Sequence, residues 1–497
     1  RHTRYIGDWS SDVCSSDLGK RNGRIFRKIK IFMKNPFKQD FLQNKKFTSN
    51  TKYLQKDDVF ISINGGFRYL NEDNIKKASF IILDENDDFA VNDKIIKCYG
   101  LNDNYLEWLD ELFSIDHYKF NNFFVTGTNG KTTVNHFLSD ILSANNIDHG
   151  SVGTLGTYIN KELVFQNELT TEEPTYIRGF LNDCSKQSID KVLFEASSIG
   201  IDQGRLNGVP IKHAVYLNLS RDHLDYHKNH ENYLMSKKKL IEDEQLESLV
   251  FNADQPEFIE CFKNTNTNNL FQISNRNKAA DIFYQMKNCE LDGKIKFTAQ
   301  TPWGKFDAEA KIFSEYNVFN LLASLPYFCS VGGDIPSFVQ SLSSLSLPEG
   351  RLQKISEKPI YIDYAHTPHA LEQACKSLKN QKNRLILVFG AGGDRDTGKR
   401  KQMGEIADKY ADEIIVTSDN PRYEDPAKIA DMIIEGISQE SKILIELDRS
   451  KAISRAIDKM DEKSTLLVCG KGHEKNQIIG SSKIFFSDKQ EIIKCIN

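Results

Sequence analysis

The stretch Val125-Thr126-Gly127-Thr128-Asn129-Gly130-Lys131-Thr132-Thr133 has the residue types of a phosphate cradle. It follows the apolar pair Phe123-Phe124 and leads into a helical pattern from His136 to Leu142. Where a strand passes through a glycine loop into a helix, backbone N–H groups face an anion, Lys131 adds a point charge, and the Thr132 hydroxyl can hold Mg²⁺. Val125 stands where the commonest form, G-x-x-x-x-G-K-[ST], has its first glycine, so strand and helix context carries the reading. A second group follows the apolar run Lys191-Val192-Leu193-Phe194, which ends on Glu195. A third, Asn218-Leu219-Ser220-Arg221-Asp222-His223-Leu224-Asp225-Tyr226-His227, carries two aspartates and two histidines in one run. Because Mg²⁺ prefers oxygen, Glu195 and Thr132 are natural ligands, and His223 is an unusual one. Asp225 and His227 read equally well as surface loop charges satisfied by salt bridges.

The elements that must position these groups divide the chain into three regions. A short first region has strand-like Val59-Phe60-Ile61-Ser62-Ile63 and Phe80-Ile81-Ile82-Leu83, each bounded by turn residues, and ends near Asp116. The second opens with the phosphate loop and alternates strands, Lys191 to Phe194 and Ala214-Val215-Tyr216-Leu217, with helical patterns such as the polar Tyr233 to Glu244. The third begins near Pro348 and repeats the scheme with Ile360-Tyr361-Ile362, Leu385 to Phe389, Ile414-Ile415-Val416 and Leu466-Leu467-Val468. Such alternation predicts an α/β fold with largely parallel sheets and helices on both faces. The Asn-rich Asn264 to Asn269 reads as a loop.

The 497 residues suit about three domains of ~150 residues each. A net charge of -4, with 65 basic and 69 acidic side chains interspersed, gives no electrostatic footprint for nucleic acid or anionic lipid. Nine scattered cysteines without a C-x-x-C pair fit a reduced cytoplasmic protein without a zinc knuckle. No apolar run reaches the ~18 residues of a membrane span. A monomer acting on small molecules is the expectation. Residues 1–20 lack a starting methionine and clear periodicity and resemble translated read-through of a sequencing adapter; the basic Lys20 to Lys34 reads first as a solvated arm and second as a remnant of the native start.

The strand Leu385 to Phe389 runs into Gly390-Ala391-Gly392-Gly393, which raises a dinucleotide-binding reading. The third glycine is misplaced, however, and Asp394-Arg395-Asp396 sets carboxylates where a pyrophosphate would lie. These glycines instead let the chain turn sharply at the sheet edge, leaving Arg395 free to meet an anionic group.

Gly127 to Thr133, Glu195-Ala196-Ser197-Ser198, the run Asn218 to His227 and Tyr361-Ile362-Asp363-Tyr364-Ala365-His366-Thr367-Pro368 together resemble the Mur ligases, in order over roughly Asp57 to Asp488. The resemblance implies three domains: a small N-terminal α/β domain over 21–115, a central P-loop NTPase-like parallel-sheet domain over 116–346, and a C-terminal Rossmann-like domain over 347–497. It implies an ATP- and Mg²⁺-dependent peptide ligase of peptidoglycan synthesis that adds meso-diaminopimelate to the D-glutamate side chain of UDP-N-acetylmuramoyl-L-alanyl-D-glutamate through an acyl phosphate. ATP would lie on Gly127, Thr128, Asn129, Gly130, Lys131, Thr132 and Thr133, with Asn317 near adenine and Arg351 and Asp363 reaching in. Lys131, Glu195, His223 and Lys237 would be catalytic, with Lys237 carbamylated by CO₂ so that an anion holds the second Mg²⁺.

The same resemblance gives the muramoyl dipeptide Thr170, Thr171, Ser197, Gln203 and Arg205, and the uridine Thr51, where Asn50-Thr51-Lys52 replaces an Asp-Ser-Arg run and reads equally well as a surface turn. It gives diaminopimelate Arg395, Asp419, Asn420, Pro421, Arg422, Gly470 and Glu474. Arg395 and Arg422 would pair with the distal carboxylate that lysine lacks. The sequence departs from the family at Ile199, Ser314 and His369. A lysine-adding homologue, a folylpolyglutamate synthase-like ligase and a non-catalytic nucleotide-binding scaffold are the alternatives.

Overall fold

The computed structural model describes residues 13–14, 30–32, 35–42, 45–89, 93–242, 245–290, 293–379 and 383–496. They form two compact units. The first gathers the described residues up to Phe120 with Glu172–Ile189 and Arg205–Val209, and the second holds the rest.

The first unit is built on a sheet of β1 (Val13–Cys14), β2 (Lys30–Phe32), β3 (Phe47–Thr48), β4 (Val59–Ile61), β5 (Phe80–Asp84) and β6 (Ile95–Cys98), in the order β1-β2-β6-β5-β4-β3. All neighbours are parallel except β1 with β2. One reading of the amino end is corrected here. Val13–Cys14 pairs with Ile31 and Phe32, although this stretch shows no clear periodicity in sequence. Lys30–Phe32, in the basic stretch expected as a solvated arm, runs parallel to Ile96–Cys98. Main-chain hydrogen bonds make both pairings, and a two- or three-residue strand is too short to write a period into the side chains. The remainder of both stretches lies outside the described residues.

The second unit contains an eleven-stranded sheet in the order β10-β9-β8-β11-β7-β12-β13-β14-β15-β16-β17. Its strands are β7 (Asn121–Thr126), β8 (Gly150–Gly153), β9 (Gly156–Ile159), β10 (Glu162–Phe165), β11 (Lys191–Glu195), β12 (His213–Tyr216), β13 (Leu246–Asn252), β14 (Thr267–Ser274), β15 (Ile282–Cys289), β16 (Lys294–Thr301) and β17 (Gly304–Lys311). From β8 to β15 the neighbours are parallel, and antiparallel hairpins finish both edges. Strands covered on both faces have to be apolar along their length. Phe123, Phe124 and Val125 of β7, with Val192, Leu193 and Phe194 of β11, are accordingly buried. The expected loop at Asn264 to Asn269 is half wrong: Thr267 opens β14, and Asn269 pairs with Ser248. A neighbouring strand supplies the ladder whatever the side chains prefer.

A second sheet in this unit runs β18-β19-β23-β20-β21-β22, and a separate hairpin joins β24 (Asn476–Ile479) to β25 (Ser482–Phe485). The six strands are β18 (Gln353–Lys354), β19 (Ile360–Asp363), β20 (Arg384–Phe389), β21 (Glu413–Val416), β22 (Ile443–Ile445) and β23 (Ser464–Cys469), parallel except for β18. Parallel sheets present their strand ends to one edge, and the chemistry-bearing loops follow β7, β11, β12, β19, β20, β21 and β23.

Candidate active site

The phosphate loop is held from below by backbone. Thr128 N–H donates to the Asn218 carbonyl (2.9 Å), and Asn129 and Asn218 exchange side-chain and main-chain hydrogen bonds (2.9 Å each). Gly130, at φ 94°, precedes the helix Lys131–Ala144; a Cβ there would lie 2.8 Å from Asn320 Oδ1. Only glycine accepts both the left-handed backbone and that approach. Lys131 Nζ donates to the carbonyls of Gly127 (2.8 Å) and Thr128 (3.1 Å), which places a half-buried cation under the loop. Burial pushes its pKa down, against the pull of Glu195 and Asp222.

Behind the loop, Thr132 Oγ1 donates to Glu195 Oε2 (3.0 Å), and Thr154 donates to the same carboxylate from its hydroxyl (2.9 Å) and its N–H (3.1 Å). Thr154 Oγ1 lies 3.0 Å from Thr170 Oγ1, while Thr171 bonds the Glu195 carbonyl (2.8 Å) and Ser197 Oγ (3.0 Å). A Cβ on Gly153 would sit 2.2 Å from Glu195 Oε1, so β8 must be bare there to admit the carboxylate. Burial raises the Glu195 pKa, with Lys131 and the threonines opposing it. A desolvated carboxylate beside a hydroxyl is the donor chemistry that suits a hard divalent cation, so the residues fit Mg²⁺. Among the described residues no group of three or more His, Cys, Asp or Glu could hold a metal by itself.

Lys237, 1 % exposed, donates to the Gly127 carbonyl (3.1 Å) and lies 4.6 Å above the Tyr233 ring. Burial holds its pKa well below the usual lysine range, and the Lys131 charge adds to this. Lys239, by contrast, is an exposed partner of Asp202 (2.8 Å).

The run after β12 meets the loops of the second sheet. Asp222 is buried against His223 (3.4 Å), His366 (3.7 Å) and Lys399 (3.8 Å). Burial alone would raise its pKa, but the hydrogen bond from His366 and the surrounding cations hold it below the usual carboxylate range. Arg221 grips Asp396 with two nitrogens (2.7 and 2.9 Å), and Arg395 stands 3.8 Å from Asp225. His223 is pushed down to about 4, mainly by burial, so its ring is neutral near pH 7. Asp225 is exposed as a surface charge would be, but His227 is buried with Nε2 3.0 Å from Ser198 Oγ, which corrects its reading as a surface charge.

A cavity of about 490 Å³ joins the loop from Thr128 to Thr133 with Thr154, Thr170, Ser197, His223, Asn317, Arg351, Asp363 and His369. Arg351 stacks on Tyr364 (4.4 Å). Asp363 accepts the Leu352 and Ala365 N–H groups (2.7 Å each). Asn317 bonds the Ile312 carbonyl (2.8 Å) and Asn320 (3.0 Å).

A second cluster is formed by the loops after β20, β21 and β23. Asn420 and buried Lys471 both donate to Glu474 Oε2 (3.0 Å each), and Gln477 donates to the Asp419 carbonyl (2.7 Å). Asp419 Oδ2 is buried without a hydrogen-bond partner, and a Cβ on Gly470 would lie 2.4 Å from it. Arg422, at φ 50°, donates to the Gly393 carbonyl (2.8 Å). Burial and the nearby Arg395 charge lower its pKa, so the two guanidinium groups repel across a space that suits an anion. Pro421 is buried against Gly393, whose Cβ would lie 1.9 Å from the Pro421 carbonyl oxygen.

Thr51 belongs to the first unit, in a turn where its carbonyl accepts from Asn74 (3.3 Å). Arg205 also belongs to the first unit, whereas Gln203 ends the helix Ser198–Asp202 in the second. Sequence reasoning missed Thr154, Lys399 and Lys471. The available signal for Thr154 was its position directly after β8, and for Lys399 and Lys471 a cation just beyond a glycine-rich loop.

Residues 125–327 match the Mur ligase middle domain, and residues 350–472 match the Mur ligase glutamate ligase domain. The chain belongs to the Mur ligase family. It is similar to the UDP-N-acetylmuramoyl-L-alanyl-D-glutamate--2,6-diaminopimelate ligase of Wigglesworthia glossinidia brevipalpis, at 35% identity over 88% of this chain and 92% of the relative. The enzyme of the same name from Rickettsia rickettsii is 35% identical over 93% and 98%. A solved structure of a ligase of that name superimposes with a TM-score of 0.58 at 31% identity, covering 91% of this chain and 94% of that one.

Proposed function

We propose that the protein is an ATP-dependent ligase that joins meso-diaminopimelate to the D-glutamate side-chain carboxylate of UDP-N-acetylmuramoyl-L-alanyl-D-glutamate, in the cytoplasm, for peptidoglycan. The observation that carries this reading is the hydrogen-bonded series Thr132–Glu195–Thr154–Thr170, which leads from the phosphate loop to the threonines assigned to the dipeptide. The curated relatives bear the name of that reaction, which disfavours the folylpolyglutamate synthase reading.

In this mechanism the loop N–H groups and Lys131 hold the triphosphate, and Arg351 faces the same cavity. The γ-phosphoryl group passes to the carboxylate, ADP leaves, the incoming amine attacks the acyl carbon, and phosphate departs as the amide forms. Thr132, Glu195, His223 and carbamylated Lys237 would hold Mg²⁺, which when bound screens charge on the transferring phosphoryl group. Burial favours the neutral Lys237 amine, which adds to CO₂ with loss of a proton and becomes an anion. Arg395 and Arg422 receive the distal carboxylate, Glu474 and the Gly470 carbonyl the far amino group, and Asp419, Asn420 and Pro421 shape that pocket. Thr170, Thr171, Ser197, Gln203 and Arg205 bind the dipeptide, and Thr51 the uridine.

The test is phosphate release from ATP and Mg²⁺ with the UDP-muramoyl dipeptide and meso-diaminopimelate, L-lysine or no amino acid. Release that depends on diaminopimelate is expected. Release with lysine alone would overturn the acceptor assignment, and release with neither would overturn the ligase reading.

A further inference from the structure

Arg400 and Glu424 are absent from every role given above, yet they sit where the two loops carrying Arg395 and Arg422 come together. Arg400 is fully buried on the first turn of the helix Gly398–Tyr410. Its Nη1 donates to Glu424 Oε2 (2.8 Å), and its Nη2 donates to Glu424 Oε1 (2.9 Å) and to the Gly392 carbonyl (3.2 Å). Glu424 Oε1 also accepts the Asp394 N–H. One ion pair therefore ties the backbone on either side of Gly393 to the residue two places after Arg422.

The loops touch nowhere loosely. Gly393 N–H donates to the Asn420 carbonyl (2.9 Å), and Tyr423 N–H to Asp394 Oδ2 (3.2 Å). At Gly392 a Cβ would lie 3.0 Å from Arg422 Nη1 and 3.7 Å from Arg395 Cγ, so both arginines lean over the same bare backbone. Two guanidinium groups that repel one another from neighbouring loops need a rigid frame, because repulsion would otherwise part them. A bidentate arginine–carboxylate pair with one member fully buried is such a frame.

We propose that Arg400 and Glu424 are a positioning pair that sets the spacing of Arg395 and Arg422, and thereby the preference for a diamino acid with a second carboxylate. The inference rests on the assignment of those two arginines to diaminopimelate. Neither Arg400 nor Glu424 touches the substrate in this account; they act through the loops.

The experiment compares wild type, Glu424→Gln, Glu424→Asp and Arg400→Lys in steady-state phosphate release with the UDP-muramoyl dipeptide, using meso-diaminopimelate and L-lysine as competing acceptors. Glu424→Gln should raise KM for diaminopimelate about tenfold, leave kcat and the KM values for ATP and dipeptide within about twofold, and lower the diaminopimelate-to-lysine preference by the same factor. Glu424→Asp should recover part of the loss. A folded Glu424→Gln enzyme with unchanged preference would overturn the inference, as would equal losses for all substrates, the mark of a general structural role. Should Arg400→Lys fail to fold, the partly exposed Glu424 still decides the question. Wild-type enzyme that prefers lysine would instead overturn the acceptor assignment, and the inference with it.

Discussion

The phosphate-loop cluster and the arginine cluster solve opposite problems. Around the loop, Lys131, Glu195 and Lys237 are taken out of water, and their proton affinities are displaced by that burial. Around Arg395 and Arg422 the charged heads stay partly in solvent, and rigidity comes from the backbone and an ion pair beneath them. Phosphoryl transfer gains from charges in a low dielectric, where each is worth more. Choosing between acceptors needs geometry instead, because a mispositioned arginine no longer distinguishes a carboxylate from its absence.

If that contrast holds, the largest effect should come from the buried side. Lys131→Met should lower kcat by about a thousandfold or more with the fold retained, as measured by phosphate release and circular dichroism; a loss of less than tenfold would deny the lysine a role in transfer. Gly153→Ala, which adds no titrating group but a methyl against Glu195, should displace that carboxylate and cost about a hundredfold in kcat at fixed Mg²⁺, partly recovered as Mg²⁺ is raised. Insensitivity to Mg²⁺ would separate Glu195 from metal binding.

On the arginine side, Arg422→Ala should act on KM for diaminopimelate by about a hundredfold and far less on the KM for ATP. Equal effects on both substrates would erase the distinction between the two clusters. The smallest effect concerns Glu173 in the first unit, raised to about 7 by burial, with the Ser49 hydrogen bond and Arg205 opposing. Its folded pKa lies above the ordinary glutamate value of about 4.5, so the folded state binds the extra proton. Stability is therefore greatest below about pH 4.5 with respect to this group and declines as pH rises through about 7. Glu173→Gln should melt a few degrees higher than wild type at pH 8 and at the same temperature near pH 4.5; a difference that persists at the lower pH would point to packing instead.

The α/β class and the expected strands were legible because buried parallel strands must be apolar along their length, as at Phe123 to Val125 and Leu385 to Phe389. The edge hairpin of β16 and β17 went unread although it was legible: both strands alternate buried and exposed residues, the period-two signature of a sheet face that meets solvent on one side. Asn268 and Asn269 entered a strand because β13 offered a ladder.

Sequence alone determined which groups exist: the glycine loop with Lys131 and Thr132, the carboxylate ending β11, and the arginines after β20 and β21. Chain order and residue type are enough there, since a loop that binds phosphate is contiguous. Only the tertiary structure decided that Thr154 holds Glu195, that Asp222 meets His366 and Lys399, and that Arg400 ties Gly392 to Glu424. Apart from the short reach of Arg400 to Gly392, those partners lie tens to more than a hundred residues apart, and no local preference of the chain encodes a distance that packing of separate strands and helices sets.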